Sequence, residues 1–574
     1  MLLLRLLVTC ALAFHSVIGK VYHDIRDLPA DFEQFDFIIA GGGTAGCVLA
    51  SRLSEERRFN VLVIEAGPDN IGSLNLTIPG WSPSGMFRWN YTSEPISGLN
   101  WRTLTVVRGH VLGGSSSINA MVYTRGSADD YDNWGRVTGD KRWSWNALWP
   151  YILRNERWTL PAGGRDPSGQ YDPKVHGHRG KVSTSLPWSG PTDADNRTLR
   201  NTQLQPEFPF ALDFNSGTFI GAGYKQSTIR NGERSSSATA YLPPPVRERP
   251  NLTILLNTYI TRVIQTRRVG RSPILRTIEI APRNGGTPRT IAAKKELILS
   301  GGVIGTAQIL LNSGVGNATE LKELGIPSVL DVPDVGKNLM EHVAIPLAWT
   351  TVPRNVTAIP DDVSLEMWLQ NRTGPLTERF DHMFLFTRIP TNSSLLQAYK
   401  DPSTGPRAPH FQAGLTPSGN QNIGLMTPYS RGSVKLRSSN PFDEPAIDLN
   451  LLSHPFDIAA FKEAARIMKR WQSGSAWDNY ITGFVGPDPD KLSDEDFQRI
   501  VRETAVTFLH PVGTARMSSK DSKTGVVDGE LRVKGADGIR IVDASVFPYI
   551  PCANTQAPVY ILAERAADLI KEAW

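Results

Sequence analysis

Residues 35–67, FDFIIAGGGTAGCVLASRLSEERRFNVLVIEAG, constrain the fold more than any other stretch of this chain. Phe35 to Ala40 is a short apolar run suited to a buried strand, and from Cys47 to Leu53 apolar residues recur at helical spacing. Between them Gly41-Gly42-Gly43-Thr44-Ala45-Gly46 fits G-x-G-x-x-G, and a second apolar strand, Asn60 to Ile64, delivers Glu65. The first glycine allows the tight turn, the second lets the backbone approach a pyrophosphate, and the third lets helix and strand pack closely. The helix N-terminus faces the phosphate charge, and Glu65 can accept hydrogen bonds from a ribose hydroxyl. An acid at that position disfavours a 2′-phosphate, so the segment implies FAD or NAD.

One such unit cannot account for 574 residues, which are enough for two or three domains. Hydrophobic residues at 40% and charged residues at 20% match an ordinary globular chain. The net charge of +5 is small for this length, and its lysines and arginines are scattered, which argues against a nucleic-acid partner.

The opening residues, MLLLRLLVTCALAFHSVIG, carry one arginine, an apolar run, and Val17 and Gly19 spaced for cleavage before Lys20. This pattern predicts a secretory signal over residues 1–19 and an extracellular protein; the run is shorter than the ~20 residues that span a bilayer. Eight Asn-x-Ser/Thr sequons fit the same route: Asn75, Asn90, Asn196, Asn251, Asn317, Asn355, Asn371 and Asn392. No later stretch is long or apolar enough to cross a membrane, and no metal-ligand cluster stands out. Cys10 leaves with the signal, and Cys47 and Cys552 are expected as free thiols.

A second glycine-rich stretch, RGHVLGGSSSINAMVYTRG from Arg108 to Gly126, can offer main-chain N–H groups to a phosphate or a flavin edge. With AGGGTAG…IEAG, LSGGVIGTAQILLNSGVG (Leu299 to Gly316) and the C-terminal FLHPVGTARM and IVDASVFPYIPCANTQAPVYILAERAADLI, it makes four blocks in one order. On these blocks the chain resembles the glucose-methanol-choline (GMC) family of FAD oxidoreductases, and within it secreted fungal aryl-alcohol oxidases and pyranose dehydrogenases. The resemblance implies an α/β fold: a Rossmann-like FAD-binding domain assembled from separated segments, with an inserted α+β substrate domain containing an antiparallel sheet. The FAD domain is expected over 35–131, 231–338 and 504–574, and the substrate domain over 132–230 and 339–503.

Carried over by position, Gly41, Gly43 and Gly46, with Thr44 and Ala45 between them, face the pyrophosphate and Glu65 the ribose. Val263 contacts adenine through its backbone. Gly113, Gly114 and Ser115 line the flavin, Asn119 lies near the ring, and Asp543, Ala544 and Thr555 hold the cofactor from the C-terminal side. The His through which pyranose dehydrogenases hold FAD covalently falls on Ile118, so FAD is expected to be noncovalent.

Oxidation of an alcohol by a flavin needs the hydroxyl proton to leave as the carbon's hydride moves to flavin N5. A neutral imidazole is suited to accept it. The resemblance gives this role to His510, and gives the second position of the pair to Asn554, whose amide can orient the substrate oxygen. Ala120 and Leu509 stand where aryl-alcohol oxidases carry aromatic residues, which puts aryl-alcohol specificity in doubt. His110 and Ala307 also depart from the family pattern. Ala408 to Pro428 falls where relatives place a loop over the active-site entrance.

The expected activity is that of a secreted, glycosylated, monomeric FAD-dependent alcohol oxidoreductase, with oxygen or a quinone reoxidising the flavin. The alternatives are a sugar or oligosaccharide dehydrogenase, favoured by the His/Asn pair, and a non-redox lyase or cyclase on the same scaffold.

Overall fold

A computed structural model describes residues 20–574 except 30, 31, 33, 284–285, 353–358, 380 and 416–419. The expected signal segment and the sequon at Asn355 lie outside the described residues.

Phe37–Ala40 and Val61–Ile64 are neighbouring strands, all eight residues buried. Such unbroken apolar runs suit a parallel sheet covered on both faces. Among the described residues the sheet has six strands, in the spatial order Lys20–Tyr22, Leu252–Leu255, Val61–Ile64, Phe37–Ala40, Glu296–Leu299 and Ile539–Ile541, all parallel. Its strands come from far-separated parts of the chain, as a domain assembled from segments requires. The helix Thr44–Leu53 begins at the glycine turn and packs on the C-terminal helix Gln556–Ala573. A methyl group at Gly46 would stand 1.9 Å from the Gly41 carbonyl oxygen, so only glycine permits this helix to lie so close to its strand.

A second sheet is antiparallel, with the order Ile481–Val485, Val343–Thr351, Asn420–Leu425, Phe411–Leu415, Met383–Thr387 and Gly221–Tyr224. The short strand Val506–Thr507 adds beside Val343 and Ala344. The helix Pro455–Gln472 packs Phe461, Ala464, Ala465 and Met468 into this sheet's apolar core, at the i, i+3, i+4, i+7 spacing of one helix face.

The parallel sheet's core also takes in Trp134, Trp145, Leu148 and Ile152, although these fall inside the 132–230 segment expected for the substrate domain. The cause is the helix Trp145–Asn155, which packs on the C-terminal helix and ties Arg154 to Glu564 and Asp568. Within Ala408 to Pro428 the strands Phe411–Leu415 and Asn420–Leu425 lie in the antiparallel sheet, and residues 416–419, which join them in the stretch expected over the entrance, lie outside the described residues. Cys47 and Cys552 are both buried and free.

Candidate active site

Between the two sheets lies a cavity of ≈ 570 Å³ whose wall includes Gly41, Gly43, Thr44, Ala45, Glu65, Gly114, Ser115, Asn119, His510, Asp543, Ala544, Asn554 and Thr555. Thirteen residues singled out from sequence, spread from 41 to 555, thus meet on one surface.

Gly43 caps the helix Thr44–Leu53, and a methyl group there would approach no atom closer than 3.9 Å, so its main chain is open to a ligand. Glu65 is buried; its Oε2 accepts the Gly42 N–H at 2.8 Å and its Oε1 the Gly67 N–H at 2.9 Å. Each oxygen keeps a lone pair for a ribose hydroxyl. Burial pushes this carboxyl up to about 7 against those N–H donors. An open glycine turn at a helix N-terminus, with an acid one strand away, fits the pyrophosphate and ribose of FAD.

Gly114 and Ser115 begin a short 3-10 turn, Gly114–Ser117, that abuts Gly43. Asn119 is locked beyond it: its Nδ2 donates to Gln556 Oε1 at 2.6 Å, and Arg234 Nη1 donates to its main-chain oxygen at 2.6 Å. Asp543 accepts from Gly302 N at 2.9 Å, Thr306 Oγ1 at 2.6 Å and Ser545 N at 2.8 Å, which ties the C-terminal segment to the start of the helix Gly302–Asn312.

Three expected contacts are placed differently. Gly46 is absent from the wall and packs against Gly41; Gly113 donates its N–H to Gly42 O at 2.7 Å and adopts φ +91°, shaping the turn from behind. The Val263 N–H is consumed by Ser313 Oγ at 2.7 Å, while Tyr259 and Ile260 line the cavity in its stead. A bulge between Ile260 and Arg262 shifts the strand's register there, which no pattern in the sequence announces. His110 also has a place: it bonds Met86 O at 2.9 Å and meets Trp89, a cavity-lining residue, edge-on.

The strand pair Val506–Thr507 with Val343–Ala344 carries the chain to His510. Leu509 then turns left-handed at φ +62°, an uncommon conformation for a branched residue. Arg108 Nη2 holds the Leu509 carbonyl at 2.5 Å, and the His510 N–H is taken by Glu341 Oε1 at 2.8 Å. The imidazole is thereby aimed between two partners: its Nε2 lies 3.2 Å from Asn554 Nδ2, and its Nδ1 lies 3.1 Å from Nδ1 of His342. Burial, seconded by the charge of Arg108, pushes His510 down to about 3, so it is neutral at ordinary pH. A neutral imidazole in a cavity wall beside an amide can take a proton from a hydroxyl group placed between them.

Sequence reasoning missed Arg108, Glu341, His342, Gln412 and Gln556. The first three support His510 from behind; Arg108 opens the second glycine-rich stretch without showing this role, and no local motif marks Glu341 or His342. Gln412, on the strand Phe411–Leu415, lines the cavity with a buried Oε1 that lacks a hydrogen-bond partner. It stands opposite Gly424, whose missing side chain makes room for the Phe508 ring, and Phe508 touches His510 edge-on.

Two models, both described as GMC oxidoreductase, match residues 35–344 and 428–563. The chain is 38% identical to a pyranose dehydrogenase of Agaricus campestris over 96% of each chain. Among solved structures it is similar to an FAD-dependent oxidoreductase from Chaetomium thermophilum, with a TM-score of 0.84 and 28% identity over 94% of this chain and 99% of that one. A fungal aryl-alcohol oxidase matches with a TM-score of 0.83 and 26% identity, covering 94% and 99%.

Proposed function

This chain belongs to the GMC oxidoreductase family, and we propose that it is a secreted FAD-dependent alcohol oxidoreductase in which His510 accepts the substrate's hydroxyl proton and Asn554 orients the oxygen. The observation that carries this reading is the neutral His510 imidazole facing the Asn554 amide at 3.2 Å in the wall of the cavity. An alcohol oxygen set against both from the cavity side, in place of their direct bond, donates its proton to Nε2 and accepts from Nδ2. FAD, when bound, supplies the acceptor for the two electrons. Gly41, Gly43, Thr44 and Ala45 would hold its pyrophosphate, Glu65 its ribose, and Gly114, Ser115, Asn119, Asp543, Ala544 and Thr555 its flavin half. Ile118 lines the cavity with no nucleophile, which supports a noncovalent cofactor.

The FAD domain is drawn from 35–131, 231–338 and 504–574 and the substrate domain from 132–230 and 339–503, with helix Trp145–Asn155 bridging both. The protein acts as a monomer, and oxygen or a quinone reoxidises it. Secretion rests on residues 1–19 and on sequons that reach the surface: Asn75, Asn90, Asn196, Asn371 and Asn392 are exposed, and Asn317 is half-buried. Asn251 is set aside, because its Nδ2 faces the carbonyl oxygens of Ser54, Glu56 and Phe59 at 2.9–3.2 Å.

A second reading, a sugar as the alcohol, is favoured by Gln412. Its unpaired acceptor suits a substrate with a further hydroxyl, and Ala120 and Leu509 offer no ring for an aryl group. The test of the main reading is flavin bleaching under anaerobic conditions by aryl alcohols, aliphatic alcohols and sugars, with His510→Ala beside the native chain. A His510→Ala protein that retains FAD and bleaches at the native rate overturns the role of His510.

A further inference from the structure

His342 is completely buried, its ring perpendicular (88°) to that of His510, with 3.1 Å between the two Nδ1 atoms. A contact of that length between ring nitrogens needs one proton, with one ring donating and the other accepting. The far side of His342 does not decide which ring donates, because its Nε2 is buried without a hydrogen-bond partner; the far side of His510 does. Thr124 Oγ1 accepts the main-chain N–H of Asn554 at 2.9 Å and donates its own proton to Asn554 Oδ1 at 3.2 Å. The amide of Asn554 therefore turns its NH₂ toward His510, where Nε2 lies at 3.2 Å. A protonated Nε2 would set two donors against each other; a bare Nε2 accepts. The single proton of neutral His510 then sits on Nδ1 and is donated to Nδ1 of His342.

We infer that His342 is a positioning residue that fixes His510 in the Nδ1–H tautomer and so keeps Nε2 bare toward the cavity. The inference rests on the reading of His510 as base. In the step it prepares, the substrate O–H bond breaks and an Nε2–H bond forms. The imidazole becomes imidazolium, the oxygen gains the matching negative charge, and no electrons pass to either histidine. The Nδ1–H donated to neutral His342 then becomes a charge-assisted bond, stronger than before transfer. The same dipeptide fixes the main chain, since Glu341 Oε1 takes the His510 N–H at 2.8 Å and the His342 carbonyl takes the Phe508 N–H at 3.0 Å.

The direct test is the tautomer itself, read from nitrogen shifts of ¹⁵N-histidine-labelled holoenzyme, with the His510 signal assigned by its loss in His510→Ala. A pyrrole-type Nδ1 and a pyridine-type Nε2 are expected; the reverse overturns the inference. The kinetic test compares His342→Leu, which removes the acceptor, with His342→Asn, whose Oδ1 falls near the lost Nδ1. With an alcohol that bleaches the native flavin, His342→Leu is expected to slow bleaching by ~10²–10³-fold, within the range for a misprotonated or missing base. FAD content and alcohol affinity should stay within a few-fold, and His342→Asn should recover to within about tenfold of native. Native-rate bleaching by His342→Leu, or an Asn variant as slow as the Leu variant, overturns the inference. If His510→Ala is slow while His342→Leu is not, only the positioning role falls; if His510→Ala bleaches at the native rate, the base reading falls with it. Should His342→Leu fail to hold FAD, the tautomer measurement and the Asn variant decide.

Discussion

Arg108 donates to the carbonyl of Leu509 at 2.5 Å and thereby holds the residue before His510 in a left-handed turn, φ +62°. One cation acts twice here, through geometry and through charge, because after burial it is the next cause that keeps His510 down to about 3. A base must be unprotonated to work, so flavin reduction should be insensitive to His510 ionisation above about pH 5 and fall only as pH approaches 3. Arg108→Met should raise the His510 pKa and move that acid limb upward, while release of Leu509 slows reduction by ~10-fold or more at neutral pH. Stopped-flow reduction from pH 9 down to about pH 3 checks both parts; an acid limb that stays in place in Arg108→Met contradicts the electrostatic one.

Behind the loop that orients Asn554 lies a sealed charge network. Arg125, next to Thr124, pairs with Glu156 at 2.5 Å, and His176 bridges Glu156 at 2.9 Å and Asp213 at 2.7 Å, all fully buried. Burial opposes the charge on His176, but Glu156 and the bond to Asp213 outweigh it and raise the group to about 9. A raised folded-state pKa stabilises fully below the ordinary histidine value and fades as pH climbs through about 9. Glu156 runs the other way: Arg125 and His176 overcome burial and hold it at about 2, so its contribution is present above the ordinary carboxylate value and lost in strong acid. The thermal midpoint should decline from pH 7 to 9. His176→Gln, which leaves Glu156 and Asp213 short of a cation, should cost ~3 kcal/mol near pH 6 and flatten that alkaline decline. An unchanged slope in His176→Gln contradicts the assignment.

Gly46→Ala tests the nucleotide-binding turn apart from catalysis. The added methyl would stand 1.9 Å from the Gly41 carbonyl, and neither main-chain segment can yield without separating helix from strand. The expected outcome is a loss of about 3 kcal/mol or more and little retained FAD, measured by flavin content and thermal unfolding. By contrast Gly72→Ala, where a methyl meets nothing within 4 Å but φ is +82°, should cost only backbone strain of ~1 kcal/mol and leave flavin content unchanged.

The cofactor half of this site was legible because its physics is local. A tight turn, a helix N-terminus and an acid one strand later are forced into a fixed spacing, so Gly41, Gly43 and Glu65 can be read from residues 35–67 alone. His510 and Asn554 were legible only through resemblance, since nothing in HPVG or CANTQ separates a base from a packed histidine. The residues behind them were not legible at all. His342 reaches His510 because Val343 and Ala344 pair with Val506 and Thr507, and pairing between segments over 160 positions apart leaves no periodic trace. The register of the strand Thr258–Ile264 was hidden for a related reason: a bulge moves a strand's contacts by a residue while its composition stays the same.

Gln412 separates the two substrate readings. Its Oε1 is buried in the cavity wall without a donor, and an unpaired buried acceptor costs ~1–3 kcal/mol until something donates to it. Once the Gln412 amide turns its oxygen into the cavity, a polyhydroxylated substrate can supply that donor in the complex; an alcohol with one hydroxyl, already engaged by His510 and Asn554, cannot. Gln412→Leu should therefore lower the bleaching rate over affinity for sugars by ~10–10²-fold, while the value for monofunctional alcohols holds or rises, because the unpaired acceptor is gone. The ratio of the two values in native and Gln412→Leu proteins is the measurement. A parallel fall for both classes would mean that Gln412 only packs beside Phe508, and would return the choice to the aryl and aliphatic alcohols.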